Sequence, residues 1–212
     1  MTYMTSTQKK LCCVVSVAVK KKELRTQMTT LLNGLDERWI RAASRRVCRS
    51  LGDFIKAQDD VQHVLAYVNH FAGEIDLSWL ISEILPSHAV YLPRVVGGES
   101  LQFLQITHDS SLIPGSFGVK EPVEGVGGEF DITNSASTLV IVPGLAFDRE
   151  GRRLGRGKSF YDRFLMRSTM LAAYKVGICW SLQIAERVPV DEWDVGMDCV
   201  VTEEEVIVVG RN

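Results

Sequence analysis

Apolar residues along the chain recur with two periods, and the changes of period mark out the elements. Residues 20–33 carry a helical pattern, and Gly34 is placed to end it. Asp36 is placed to cap a second helix from Glu37 to about Ala57, where Trp39, Ile40, Ala43, Val47, Leu51 and Ile55 form a stripe at helical spacing. His63–Val68 is a short apolar run that predicts a strand. The loop Asn69–Glu74 leads into a helix over Leu77–Leu85, capped by Asp76 and closed by Pro86. A strand is expected near Ala89–Leu92. Val95-Val96 and Leu101–Ile106 flank Gly97-Gly98, which predicts a hairpin. Ile113–Phe130 is rich in Gly and Pro and poor in periodicity, so it reads as loop. Thr138–Val142 is fully apolar, as inner strands of parallel sheets are. A long loop, Pro143–Lys158, feeds a helix from about Ser159 to Leu171. Tyr174–Cys179, Met197–Val201 and Val206–Val209 complete the strands.

Strands alternating with helices imply a three-layer α/β/α sandwich with a mostly parallel, Rossmann-like sheet and the N-terminal helices packed on it. Residues 20–212 form one domain in this reading, and 1–19 are an N-terminal extension. Within that extension, Leu11–Val19 is apolar between Lys9-Lys10 and Lys20-Lys21-Lys22. It is too short to span a bilayer, and no small-residue cleavage site follows it, so it reads as a short strand or an extension. Trp39 and Trp79 fit core positions on helix faces.

Composition narrows the class. An apolar fraction of 46% and a charged fraction of 24% describe an ordinary globular chain. The net charge of −2 argues against a dedicated nucleic-acid or membrane-surface binder. Cys12, Cys13, Cys48, Cys179 and Cys199 form an odd set without a C-x-x-C pair, which fits reduced thiols in a cytoplasmic protein better than disulfides or zinc. The histidines show no ligand spacing. Small-molecule partners and a monomer or weak oligomer are expected.

The chemistry concentrates after Thr138–Val142. In parallel sheets ligands bind beyond the carboxyl ends of the strands, where the loop beginning at Pro143 lies. Arg153, Arg156 and Lys158 place three cations within six residues, among Gly151, Gly155 and Gly157 and beside a helix start. Glycines let backbone approach a ligand, and the cations suit phosphate or carboxylate. A solvated basic turn is the alternative. The segment is not a P-loop, since Gly151 and Gly157 are six apart where five are required.

The run Val142-Pro143-Gly144-Leu145-Ala146-Phe147-Asp148, then Gly151, Arg153-Leu154-Gly155-Arg156-Gly157-Lys158 and Tyr161-Asp162, resembles the signature of the 5-formyltetrahydrofolate cyclo-ligases. Lys21-Lys22-Glu23-Leu24-Arg25, Tyr67 with Gly73-Glu74, Glu121-Pro122, Val188-Pro189 with Asp194, and Thr202-Glu203 resemble other family elements in the expected order, over about residues 20–209. Ser159 stands where the family usually has glycine, Phe160 where tyrosine is frequent, Phe117 in place of a common tryptophan, and Trp193 where a polar residue is common.

The resemblance implies a reaction: 5-formyltetrahydrofolate, ATP and Mg²⁺ give 5,10-methenyltetrahydrofolate, ADP and phosphate. It also implies roles. Lys21, Lys22, Arg25, Arg153, Gly155, Arg156, Gly157, Lys158, Ser159, Phe160 and Tyr161 would hold ATP, with Arg156 and Lys158 catalytic at the γ-phosphate and formyl oxygen. Asn69, Glu74, Phe117, Arg156 and Phe160 would contact the folate, and Asp162 and Asp194 would bind Mg²⁺. Lys21 and Arg25, four apart, would share one helix face. A non-catalytic member that binds nucleotide or folate for regulation is the alternative, and a sugar-phosphate protein on a similar sheet a third.

Overall fold

The computed structural model describes residues 6–107, 112–115, 118–123 and 127–210, and for 6–16 the backbone alone. Helix α1 spans Ser6–Asn33 and turns Lys21, Met28 and Leu32 inward, with Leu24 and Arg25 half-buried. The expected strand or extension at residues 11–19 is helix instead. No glycine or proline lies between Ser6 and Asn33, so nothing interrupts the helix on that side. Helix α2 spans Glu37–Lys56, and Asp36 Oδ1 accepts from the Arg38 and Trp39 amides, each at 2.9 Å. Its stripe Ala43, Val47, Leu51 and Ile55 is buried, as the periodicity requires. Helix α3 is Ser78–Ile84, and Asp76 Oδ1 accepts from the Ser78 amide. Trp79, expected in the core, is instead 45% exposed; Leu80 and Ile84 bury that helix.

Seven strands form the central sheet: β1 (His63–Leu65), β2 (Ala89–Val96), β3 (Ser100–Gln105), β6 (Thr138–Pro143), β9 (Tyr174–Ile178), β10 (Cys199–Val201) and β11 (Val206–Val208), in the order β11-β10-β9-β6-β1-β2-β3. The five inner strands are parallel, and β3 and β11 are antiparallel edges. The hairpin between β2 and β3 turns at Gly97-Gly98, both with positive φ. One sheet face packs against α1, α2 and α3 through Met28, Val47, Leu51, Val64, Leu139 and Ile141. The other, through Leu65, Val140 and Val142, meets Phe164 and Leu165 of α4 (Phe160–Leu165) and Met170. This is the three-layer arrangement expected, with a thin second helical layer.

Three segments differ from the periodicity reading. Helix α4 is shorter than Ser159–Leu171, and a 3₁₀ turn at Ser168–Met170 follows it. Ser168 and Thr169 are weak helix formers whose hydroxyls compete for backbone groups. The loop Pro143–Lys158 contains a short ladder, β7 (Ala146–Phe147) with β8 (Arg153–Leu154). Within Ile113–Phe130, β4 (Leu112–Pro114) pairs with β5 (Lys120–Pro122). There Glu121 Oε1 accepts from the Val95 amide at 3.2 Å, a tie across the chain that local pattern does not encode.

Cys48, Cys179 and Cys199 are free and buried. Burial pushes the Cys48 and Cys199 thiols up to about 11, and Cys179 well above its usual value. A raised thiol pKa leaves almost no thiolate near neutral pH. Iodoacetamide at pH 8 should therefore spare these three in the folded protein and alkylate them in urea. Rapid modification of Cys179 under native conditions, read by mass spectrometry, would contradict that packing. Among the described residues no helix is long and apolar enough to cross a membrane.

Candidate active site

Strand β1 has β2 on one side and β6 on the other, so the chain reverses its direction of winding between β1 and β6. At such a switch point the loops leaving two neighbouring strands diverge and open a crevice. A cavity of about 400 Å³ lies there. It is lined by Tyr67, Val68 and Glu74 from beyond β1, by Pro143 and Gly144 from the end of β6, and by Arg153, Arg156 and Lys158. The β2–β3 hairpin closes one wall with Pro93, Val95 and Leu101, and Glu121 contributes a buried carboxylate.

Arg153 is set by β8 and is 6% exposed. Its guanidinium donates to the Pro143 carbonyl at 3.2 Å and to Asp162 Oδ1 at 2.6 Å. A buried, paired arginine of this kind shapes the site, because its charge is already balanced. Arg25 reaches over from α1 and donates through Nε to the Gly155 carbonyl at 3.0 Å, which ties the N-terminal helix to the basic turn. Lys158 lines the cavity and is exposed to solvent. Tyr161 also lines it. Burial pushes the Tyr161 phenol far up, against the opposing pull of the Arg153 cation, so it stays a neutral donor. Its hydroxyl is buried without a partner among the described residues, and a ligand atom in the cavity would satisfy it.

Ser159 is the only described non-glycine residue with positive φ, at φ 52° and ψ 25°, and it makes no side-chain cap to α4. The left-handed conformation costs an L-residue about 1–2 kcal/mol. Ser159→Gly should remain within about 1 kcal/mol of the parent, since lost strain and added chain entropy oppose each other. Ser159→Val should fall about 1–2 kcal/mol below it, because a branched Cβ suits this conformation least. Urea unfolding of both variants checks this; equal midpoints would remove the strain.

Glu74 organises the opposite wall. Its Oε2 accepts from the His70 amide at 2.9 Å and the Phe71 amide at 3.1 Å, while Oε1 accepts from Arg156 at 3.2 Å. Gly73 has φ 75°, and a Cβ there would stand 2.6 Å from the Leu32 carbonyl oxygen, so the turn requires glycine. The buried Trp180 donates through Nε1 to the Gly73 carbonyl at 2.6 Å and packs edge-on against Trp39. The Arg156 guanidinium lies 3.9 Å from the centre of the Phe71 ring.

Of the residues singled out from sequence, the cavity gathers Glu74, Arg153, Gly155, Arg156, Lys158, Ser159, Phe160, Tyr161 and Asp162. Arg25 joins through Gly155, and Gly157 stands beside it: a Cβ there would be 3.8 Å from Arg25. Lys22 and Asn69 are exposed and outside the lining. Phe117 lies outside the described residues. Lys21 is 6% exposed and bonds to Asp191 at 2.7 Å and to Asp194, whose carboxylate also accepts from the Asp191 amide. Asp194 does not line the cavity. Sequence reasoning missed Phe71 and Asp191. An aromatic residue three before Glu74 and a second acid three before Asp194 were the only signals.

A doubly wound α/β sheet here carries a switch-point cavity that sets cations and a buried carboxylate against aromatic and apolar walls, a lining chemically suited to anionic small molecules. The family description for 5-formyltetrahydrofolate cyclo-ligase matches residues 17–203, and the chain belongs to that family of enzymes. The probable 5-formyltetrahydrofolate cyclo-ligase of Schizosaccharomyces pombe is 28% identical over 90% of this chain and 98% of its own length. The Escherichia coli K12 5-formyltetrahydrofolate cyclo-ligase is 33% identical over 68% and 80%. The NMR structure of 5,10-methenyltetrahydrofolate synthetase from Aquifex aeolicus is similar with a TM-score of 0.75 at 36% identity, covering 91% of this chain and 95% of that one. The Mycoplasma pneumoniae synthetase, at 20% identity and a TM-score of 0.69, shares the fold.

Proposed function

We propose that the chain closes 5-formyltetrahydrofolate to 5,10-methenyltetrahydrofolate at the expense of ATP, releasing ADP and phosphate. The N-formyl group is amide-like, so its carbonyl is a weak electrophile and its oxygen a poor leaving group. Transfer of the γ-phosphoryl group to that oxygen makes an imidate-like phosphate, N10 attacks the formyl carbon, and phosphate departs. The protein's part is positioning and charge neutralisation. The observation that carries this reading is the meeting of Arg156 and Lys158 with Glu74 in one cavity: cations for the transferring group and an acceptor for pterin N–H donors.

In this reading Arg156 and Lys158 neutralise charge on the phosphoryl group, while Lys21, Lys22, Arg25, Arg153, Gly155, Gly157, Ser159, Phe160 and Tyr161 surround the nucleotide. Glu74 orients the pterin, with Phe160 as a stacking surface; Asn69 is exposed outside the cavity lining and would contact the folate from there. Mg²⁺ takes few carboxylates and keeps its other positions for phosphate oxygens and water. Asp162 fits that need: it lines the cavity and meets Arg153 through Oδ1. Asp194 stands outside the cavity lining with Oδ2 held by Lys21 and the Asp191 amide, so only its Oδ1 would be offered to the metal. The metal would neutralise phosphate charge. Reduced folate and ATP are then the partners, in a cytoplasmic monomer or weak oligomer.

Incubation with 5-formyltetrahydrofolate and Mg·ATP, followed by near-ultraviolet absorbance of the methenyl product, tests the reading. Absorbance should grow with enzyme concentration and stop without ATP. Folate binding without product would favour a regulatory binding protein instead.

A further inference from the structure

Phe71 is 45% exposed, belongs to neither core cluster and lines the same cavity. Its position is nonetheless closely determined. Its own amide and that of His70 are held by Glu74 Oε2, Gly73 requires its left-handed turn against Leu32, and Trp180 grips the Gly73 carbonyl. The His70 ring packs edge-on against it at 4.9 Å. A turn held at this many points presents the ring as a fixed ledge, and the Arg156 guanidinium rests on it at 3.9 Å. Through Nη2, Arg156 donates to Glu74 Oε1 at 3.2 Å.

A flexible arginine is useful in group transfer only when its charge waits where charge will develop. Stacking on an aromatic face holds a guanidinium by its flat side and leaves its edge, where all five N–H donors lie, open to oxygen atoms. We infer that Phe71 is a positioning residue for this reaction: its ring, with Glu74, holds the Arg156 guanidinium in the orientation that meets the anionic group. Phe71 acts through Arg156 and need not touch the reacting atoms. This inference rests on the function proposed above for what Arg156 does, while the stack itself does not depend on it.

The test is a double-mutant cycle with Phe71→Leu and Arg156→Met, read as kcat for methenyl formation. Phe71→Leu should lower kcat about five- to tenfold in the parent, the worth of one cation–π contact. In the Arg156→Met background it should change kcat by less than about twofold. Phe71→Trp should restore the parent rate, because indole offers the better ring face. An equal fall in both backgrounds would show that the ring acts on the ligand or the scaffold and would overturn the inference, as would an unchanged rate for Phe71→Leu. One readout is independent of turnover. The Arg156 Nε–H proton should carry a ring-current shift in the NMR spectrum of the parent that Phe71→Leu abolishes. A parent without turnover but with that shift would sink the proposed function and leave the stack standing; a parent with turnover but no shift would sink the stack alone.

Discussion

Replacing Lys158 by alanine lowers kcat for methenyl formation by about 10²- to 10³-fold, the usual effect of removing one preorganised group that meets developing charge. The side chain is exposed at the rim of the cavity, so its loss removes no buried packing. The unfolding midpoint should stay near the parent value, and calorimetric folate affinity should change little. A large effect on rate with intact folding and binding is the pattern of an interaction made in the transition state. Turnover within a fewfold of the parent would remove Lys158 from the chemistry and with it the reading of the basic turn as the phosphate clamp.

Asp148→Ala is expected to cost about 3–5 kcal/mol of stability, the range for breaking a buried ion pair. The Asp148 carboxylate is fully buried and is used on both oxygens. Oδ1 accepts from the Glu150 and Arg152 amides at 3.0 and 3.1 Å. Oδ2 accepts from Arg152 Nε at 2.6 Å and from the Val188 amide at 2.8 Å. One side chain thus closes the turn between β7 and β8 and fastens it to residue 188. Alanine leaves the buried Val188 amide unpaired and frees the turn that delivers Arg153. A typical domain is stable by about 5–15 kcal/mol, so the variant should unfold at markedly lower urea. A loss below about 1 kcal/mol would show that water replaces these bonds freely. Lys158→Ala and Asp148→Ala separate the two functions of the signature segment: the first should spare the fold, and the second should weaken it before any chemistry is tested.

Much of the scaffold was legible. Asp36 before a helical stripe, the apolar run Thr138–Val142 and the Gly97-Gly98 hairpin all signal elements through neighbours in sequence, where propensity, capping and period operate. The basic turn was legible because Arg153, Arg156 and Lys158 lie within six residues of one another. The ledge under Arg156 was not. Arg156 and Glu74 are 82 residues apart, Lys21 and Asp191 are 170 apart, and no local period encodes either meeting. The β4–β5 ladder escaped notice for a related reason: Glu121 secures it against Val95 in β2.

By itself, then, the order of residues determined most of the helices and inner strands, the N-terminal half of α1 and the length of α4 excepted, and which short stretch carries the cations. Both follow from interactions along the chain. Tertiary structure alone decided how deeply each of those cavity-lining cations is buried, and which carboxylate or aromatic ring it meets. Winding reverses between β1 and β6, and that reversal brings the segment after residue 65 against the segment after residue 143. The charges of Arg153 and Arg156 look alike in sequence; the first is buried against Asp162 and the second lies on Phe71 beside Glu74, because electrostatic environment is a property of the packed neighbourhood.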